Sequence, residues 1–68
     1  MFKRVAIIGY GLIGSSIGRA IMQKNLADHL VAVDLSDDVC KTVVEMQLAH
    51  AATSSLQDGV RDCDLVIL

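Results

Sequence analysis

Three short runs of uninterrupted apolar residues punctuate the chain: Val5-Ala6-Ile7-Ile8, Leu30-Val31-Ala32-Val33 and Leu65-Val66-Ile67-Leu68. Runs of this length, bounded by polar or turn residues, suit strands buried on both faces of a sheet. After the first run the period changes. Ile13, Ile17, Ala20 and Ile21 fall at i, i+4, i+7 and i+8, one face of a helix, and Lys24 and Asn25 suit that helix's end. After the second run, Ser36 reads as an N-cap with Asp37 and Asp38 in the first turn. This second helix is predicted to run to about Gln47, with Val39, Cys40, Val43 and Val44 turned inward. Residues 48–52 are weakly patterned and suit at most a very short strand. Ser54 with Gln57 has capping-box spacing for a short third helix. The expected order is β-α-β-α-(β)-α-β. Such alternation implies a parallel sheet with helical crossovers, with strands near residues 4–8, 30–34 and 64–68 and the first of these between the other two.

Composition narrows what such a unit can do. Hydrophobic residues make up 53% of the 68 residues, which is apolar for so small a soluble domain. The expectation is a segment, residues 1–68, of a larger domain, cut off within a buried strand, with the remainder of that domain and a substrate or dimerisation domain lying beyond Leu68. No run reaches the ~18 apolar residues of a spanning helix. The opening Phe2-Lys3-Arg4 mimics a signal peptide, but Gly9, Gly11 and Gly14 break the apolar stretch behind it. A formal charge of −2 without a basic cluster argues against a nucleic-acid partner. Cys40 and Cys63 lack CxxC spacing and are expected to be reduced thiols in a cytoplasmic protein.

Gly9-Tyr10-Gly11-Leu12-Ile13-Gly14 is a G-x-G-x-x-G placed between a predicted strand and a predicted helix, the context that gives this motif meaning. Gly9 permits the tight turn out of the strand, Gly11 lets backbone approach a pyrophosphate, and Gly14 lets the helix pack close to the sheet. The helix start offers amide N–H groups and partial positive charge to phosphates. Gly18 extends the close-packed stripe. Asp34 ends the second strand about 20 residues beyond Gly14, where a carboxylate accepts hydrogen bonds from the adenosine ribose of NAD and repels the extra phosphate of NADP. Residues 35–38 are Leu, Ser, Asp and Asp, and supply no arginine for that phosphate. The fold class expected is therefore α/β, the N-terminal portion of a Rossmann-type doubly wound sheet in 3-2-1-4 order, with NAD as cofactor. Ser15 and Ser16 either reach a phosphate or satisfy the helix start. His29 and His50 have no partner at metal or catalytic spacing and are read as surface loop residues, so neither a metal site nor a catalytic residue is expected within this chain.

The stretch Val5 to Ser16 resembles the prephenate and arogenate (cyclohexadienyl) dehydrogenases, whose N-termini read as an apolar strand followed by G-x-G-L-I-G and a Ser or Gly. The likeness continues through Val33-Asp34-Leu35-Ser36, Ala51-Ala52-Thr53 and Asp62 to Leu68, and so covers nearly the whole chain. Its specific part is Gly11 to Ser16, since beta-hydroxyacid dehydrogenases tend to carry Met where Leu12-Ile13 stand. The chain departs from the pattern at Gln47, where the family commonly has glycine.

The resemblance implies an NAD-dependent oxidative decarboxylation in tyrosine biosynthesis, a small-molecule substrate (prephenate or arogenate) and a homodimer when full length. The candidate cofactor-binding set is Gly9, Gly11, Leu12, Ile13, Gly14 and Asp34. Catalytic residues are expected beyond Leu68, so the 68-residue segment alone is expected to be inactive. Two other classes fit the same motif: another NAD-dependent oxidoreductase, and a non-catalytic NAD-sensing domain.

Overall fold

A computed structural model describes residues 2–68, the side chains of Leu12 and Ile13 excepted. Seven elements follow in the expected order: β1 (Phe2–Ile8), α1 (Leu12–Lys24), β2 (Ala27–Val33), α2 (Asp37–Glu45), β3 (Ala51–Thr53), α3 (Leu56–Val60) and β4 (Leu65–Ile67). The sheet runs β3-β2-β1-β4 with every pair parallel. This is the 3-2-1-4 order of a Rossmann-type α/β fold.

The apolar runs become the centre of the sheet because β1 and β2 are paired on both edges. Val5, Ala6, Ile7, Leu30 and Ala32 are each at most 1% exposed. Both strands begin earlier than the apolar runs suggest. Phe2 N donates to Leu26 O at 3.0 Å, and Asp64 N donates to Arg4 O at 2.8 Å. Those partners hold Lys3 and Arg4 in β1 although their side chains are polar, because a ladder needs only backbone groups.

Helix ends follow local chemistry. Asn25 takes the left-handed conformation (φ 52°) as its N–H closes onto Ile21 O. Ser36 caps α2, its hydroxyl accepting from Val39 N at 3.3 Å, with Asp37 and Asp38 in the first turn. That helix ends at Glu45, before Gln47. Leu48 N donates to Val43 O and Gln47 N to Val44 O, a Schellman turn whose left-handed position is Gln47 (φ 56°). The glycine that the resemblance leads one to expect would sit there without strain, and Gln47 takes the same conformation. Val44, about 100° around the helix from Val43, is 48% exposed rather than buried, while Val43 is buried and Val39 packs against the core.

The third helix is capped by Ser55, whose hydroxyl accepts from Asp58 N at 3.3 Å, and not by Ser54. Asp58 at the third helical position suits that helix start, which moves the cap one residue onward from the spacing of Ser54 and Gln57. β4 is less buried than its apolar sequence predicts, with Val66 40% exposed.

Right-handed crossovers put α1 and α2 on one face of the sheet and α3, which crosses back from β3 to β4, on the other. The side chains agree. A Cβ on Gly14 of α1 would lie 3.4 Å from Ile7 Cγ2, whereas one on Gly59 of α3 would lie 2.2 Å from Val33 Cγ2. Ile7 pairs with Ala32, and Ile8 with Val33, so the two contacts sit on opposite faces.

Cys40 and Cys63 are free thiols, half-buried and donating to the carbonyls of Asp34 and Gly59. No helix among the described residues is long and apolar enough to cross a membrane.

Candidate functional site

The C-terminal ends of β1 and β2 converge on one loop. Gly9 leaves β1 with φ +80°, a backbone that L side chains rarely adopt, and its N–H donates to Val33 O at 2.7 Å. Gly11 is the N-cap of α1. A Cβ built on Gly9 or Gly11 meets nothing within 4 Å, so the outer side of the loop faces open space. Gly14 is the opposite case: its Cβ would lie 2.6 Å from Gly9 O, a backbone atom that cannot yield cheaply. Only glycine lets α1 start this close to the turn. Leu12 and Ile13 carry on the helix, but their side chains lie outside the described residues.

The start of α1 is chemically unlike that of α2. Its N-cap offers no side-chain acceptor, and its first turn holds no acidic residue. The first amides of any helix have no intrahelical partner, and here no cap or acid offsets the positive end of the helix dipole. Ser15 N closes the first helical bond, onto Gly11 O at 2.9 Å.

Asp34 stands beside this loop. Its Oδ2 accepts from Tyr10 N at 3.1 Å and its Oδ1 from Ser36 N at 3.0 Å. Its own N–H donates to Thr53 O at 3.1 Å. The carboxylate thus links the glycine loop to the start of α2 and has a fixed orientation. Each oxygen of a carboxylate can accept about two hydrogen bonds, so each keeps one acceptor position beyond these backbone contacts. A cleft of about 390 Å³ opens here, lined by Gly9, Val33, Asp34, Leu35, Ser54 and Leu56. Leu35 is 92% exposed beside the acid. A second cleft of about 310 Å³ lies between α1 and α2, lined in part by Tyr10, Ser15, Asp38 and Thr42.

The structure therefore brings Gly9, Gly11, Gly14 and Asp34 together at one end of the sheet. It also adds a residue that the motif passes over. Tyr10 occupies a variable position of the glycine pattern, yet it is 3% exposed and its hydroxyl donates to Leu48 O at 2.6 Å. The available signal was its being the single tyrosine of the chain, flanked by glycines.

Of the two histidines read as surface loop residues, His50 is an exposed residue of the bend before β3, as expected, whereas His29 is not in a loop. His29 lies in β2, and His50 leads into β3 at the far end of the sheet, their rings stacked with centroids 5.5 Å apart. His50 Nδ1 accepts from Leu30 N at 2.7 Å, while His50 N donates to Leu30 O. The imidazole acts as an extra rung of the ladder. Among the described residues no group of His, Cys, Asp or Glu is placed to hold a metal ion.

Residues 3–68 match the family described as lactate/malate dehydrogenase, NAD binding domain. Among individual relatives, the chain is 42% identical over 69 residues to a cyclohexadienyl dehydrogenase of Zymomonas mobilis, a match that covers all of this chain and 23% of that protein. It is 36% identical over 55 residues to L-lactate dehydrogenase A of Rhizopus oryzae, covering 81% of this chain and 17% of the relative. It is 45% identical over 50 residues to an L-lactate dehydrogenase of Staphylococcus saprophyticus, covering 74% and 15%. The chain thus spans less than a quarter of the length of each of these relatives.

Proposed function

The chain belongs to the NAD-binding domain family of the lactate/malate dehydrogenases, and from its match to a cyclohexadienyl dehydrogenase along its whole length we propose that it is the cofactor-binding segment of an NAD-dependent cyclohexadienyl dehydrogenase. The cofactor is NAD, and the residues present fit it. The observation that carries the site is the pairing of an α1 start without an acid or side-chain cap with an oriented Asp34 carboxylate across one open loop. The pyrophosphate would lie over Gly9 and Gly11, where a Cβ would otherwise intrude, and take hydrogen bonds from the first amides of α1 at Leu12, Ile13 and Gly14. Asp34 would accept the adenosine ribose hydroxyls with the acceptor positions that Tyr10 and Ser36 leave open. The apolar side chains of Leu35 and Leu56 border the cleft beside it.

NAD, when bound, accepts a hydride. In the proposed reaction that hydride leaves the ring carbon bearing the hydroxyl of prephenate or arogenate, carbon dioxide departs, and the ring becomes aromatic. This segment's part is to bind and orient the cofactor. The groups that hold the substrate belong to the remainder of the protein, and the full-length enzyme is proposed to be a dimer. The match along the whole chain to a cyclohexadienyl dehydrogenase favours this substrate class. The lactate dehydrogenase relatives favour a second reading, a 2-hydroxy acid oxidoreductase built on the same nucleotide half. Steady-state assay of the full-length protein with NAD and prephenate, arogenate, lactate or malate decides between them. Turnover of prephenate or arogenate above that of lactate is expected. Turnover confined to lactate or malate overturns the substrate assignment and leaves the cofactor site standing.

A further inference from the structure

Tyr10 makes contacts that the glycine pattern does not require. It sits between Gly9 and Gly11, in a loop whose two glycines give it unusual freedom. Its ring nevertheless plunges into the α1/α2 side of the core. A Cβ on Gly18 would overlap the phenol oxygen and approach Tyr10 Cζ to 2.5 Å, so the glycine one turn beyond Gly14 makes room for this ring rather than for the sheet. The hydroxyl donates to Leu48 O, a carbonyl presented by the Schellman turn at Gln47. At the same residue the backbone N–H donates to Asp34 Oδ2. One residue therefore ties the loop to α1, to the turn after α2 and to the end of β2.

We propose that Tyr10 is a positioning residue of the cofactor site: its anchored side chain fixes the glycine loop and, through its own amide, the direction in which Asp34 presents its carboxylate. This rests on the reading of the loop and Asp34 as the NAD site. The physical gain is pre-organisation. A loop already held in the binding conformation loses less freedom when the pyrophosphate arrives. Burial raises the phenol's pKa above its ordinary value, which keeps the hydroxyl protonated and a donor throughout the working pH range.

The test is Tyr10→Phe in the full-length protein, which keeps the ring and removes the hydrogen bond. Dissociation constants for NAD and for ADP, which keeps the adenosine and pyrophosphate but lacks the nicotinamide riboside, are measured with kcat and KM and with amide exchange at residues 9–11. A single hydrogen bond at this position is expected to change affinity about three- to tenfold. Both constants and the KM for NAD should rise by that common factor, kcat at saturating NAD should not fall, and exchange in the loop should quicken. A lowered unfolding temperature with NAD and ADP affinities unchanged would overturn the proposal and leave Tyr10 a core residue only. Wild-type protein that binds neither ligand would overturn the underlying NAD reading, and this proposal with it.

Discussion

The helices α1 and α2 begin in opposite ways. α2 is closed by its own sequence: Ser36 caps it and Asp37 and Asp38 fill its first turn. Helix α1 begins at a glycine, with no side-chain cap and no acid in its first turn. A side-chain cap is worth roughly a few tenths of a kcal/mol over glycine, so α1 forgoes a little stability that α2 takes. The two starts lie on either side of Asp34, which is bonded to Tyr10 of one and Ser36 of the other. A helix end that the protein completes is structural. One without a side-chain cap or acid, beside an oriented carboxylate, is what the proposed dinucleotide site uses.

The largest effect should come from closing the approach of α1 to the turn. In Gly14→Ala the new Cβ would lie 2.6 Å from Gly9 O, so α1 must move off the loop. Overpacking of this kind costs about 1–3 kcal/mol of stability. NAD affinity of the full-length variant is expected to fall more than about tenfold, read by calorimetric titration alongside denaturant unfolding.

Making α1 resemble α2 should separate stability from binding. Gly11 has extended backbone (φ −77°, ψ −150°) and room for a side chain, so Gly11→Asp can supply the missing cap. Stability is expected to hold or rise by a few tenths of a kcal/mol. NAD affinity should drop about tenfold, because the carboxylate occupies and repels the pyrophosphate position. Unchanged NAD affinity would break the comparison. The converse variant, Ser36→Ala, should cost about 1 kcal/mol of unfolding free energy and leave NAD affinity within about twofold.

Much of this arrangement could be read from the chain. Val5 to Ile8 and Leu30 to Val33 are apolar without interruption because strands buried on both faces have no polar side to show; the equally apolar Leu65 to Leu68 lies at the edge, so the pattern finds the strands and the crossovers place them. The glycine spacing and Asp34 follow from steric and electrostatic demands that a linear pattern records. What escaped depends on three-dimensional partners. Ser54 and Ser55 are chemically equivalent caps with an equally plausible partner three residues on, Gln57 or Asp58, and the folded helix start selects Ser55. Val44 looks like a core residue, but it lies about 100° around α2 from the buried Val43 and is left exposed. His50 is a ladder rung because Leu30 lies opposite it, which no local signal announces. Tyr10 is hidden for the same reason: the motif leaves its position undefined, and Gly18 and Leu48 are what define it.

The smallest expected effect lies at the far end of the sheet, where no cofactor contact is proposed. Partial burial, then the charges of Arg4 and His50, lower the pKa of His29. The unfolded chain therefore binds a proton at ~6.5, where the folded one resists it. Stability should decline as pH falls below that value and level off once the folded state also protonates. The slope should be shallow, since the ring is half-exposed, and His29→Asn should flatten it in denaturant titrations across that window. A slope of opposite sign would contradict the assignment.

The pairing of α1 with Asp34 is tested most directly by cofactor choice. Asp34→Ser combined with Leu35→Arg removes the carboxylate and adds a phosphate partner at a position 92% exposed. Any loosening of the loop weakens NAD and NADP alike, so the ratio of kcat/KM for the two cofactors isolates the contact with the ribose. In the full-length enzyme the wild type should favour NAD, and the double variant should shift the ratio toward NADP by about tenfold or more. A ratio that does not move would contradict the placement of the ribose on Asp34, and with it the account of this end of the sheet as the NAD site.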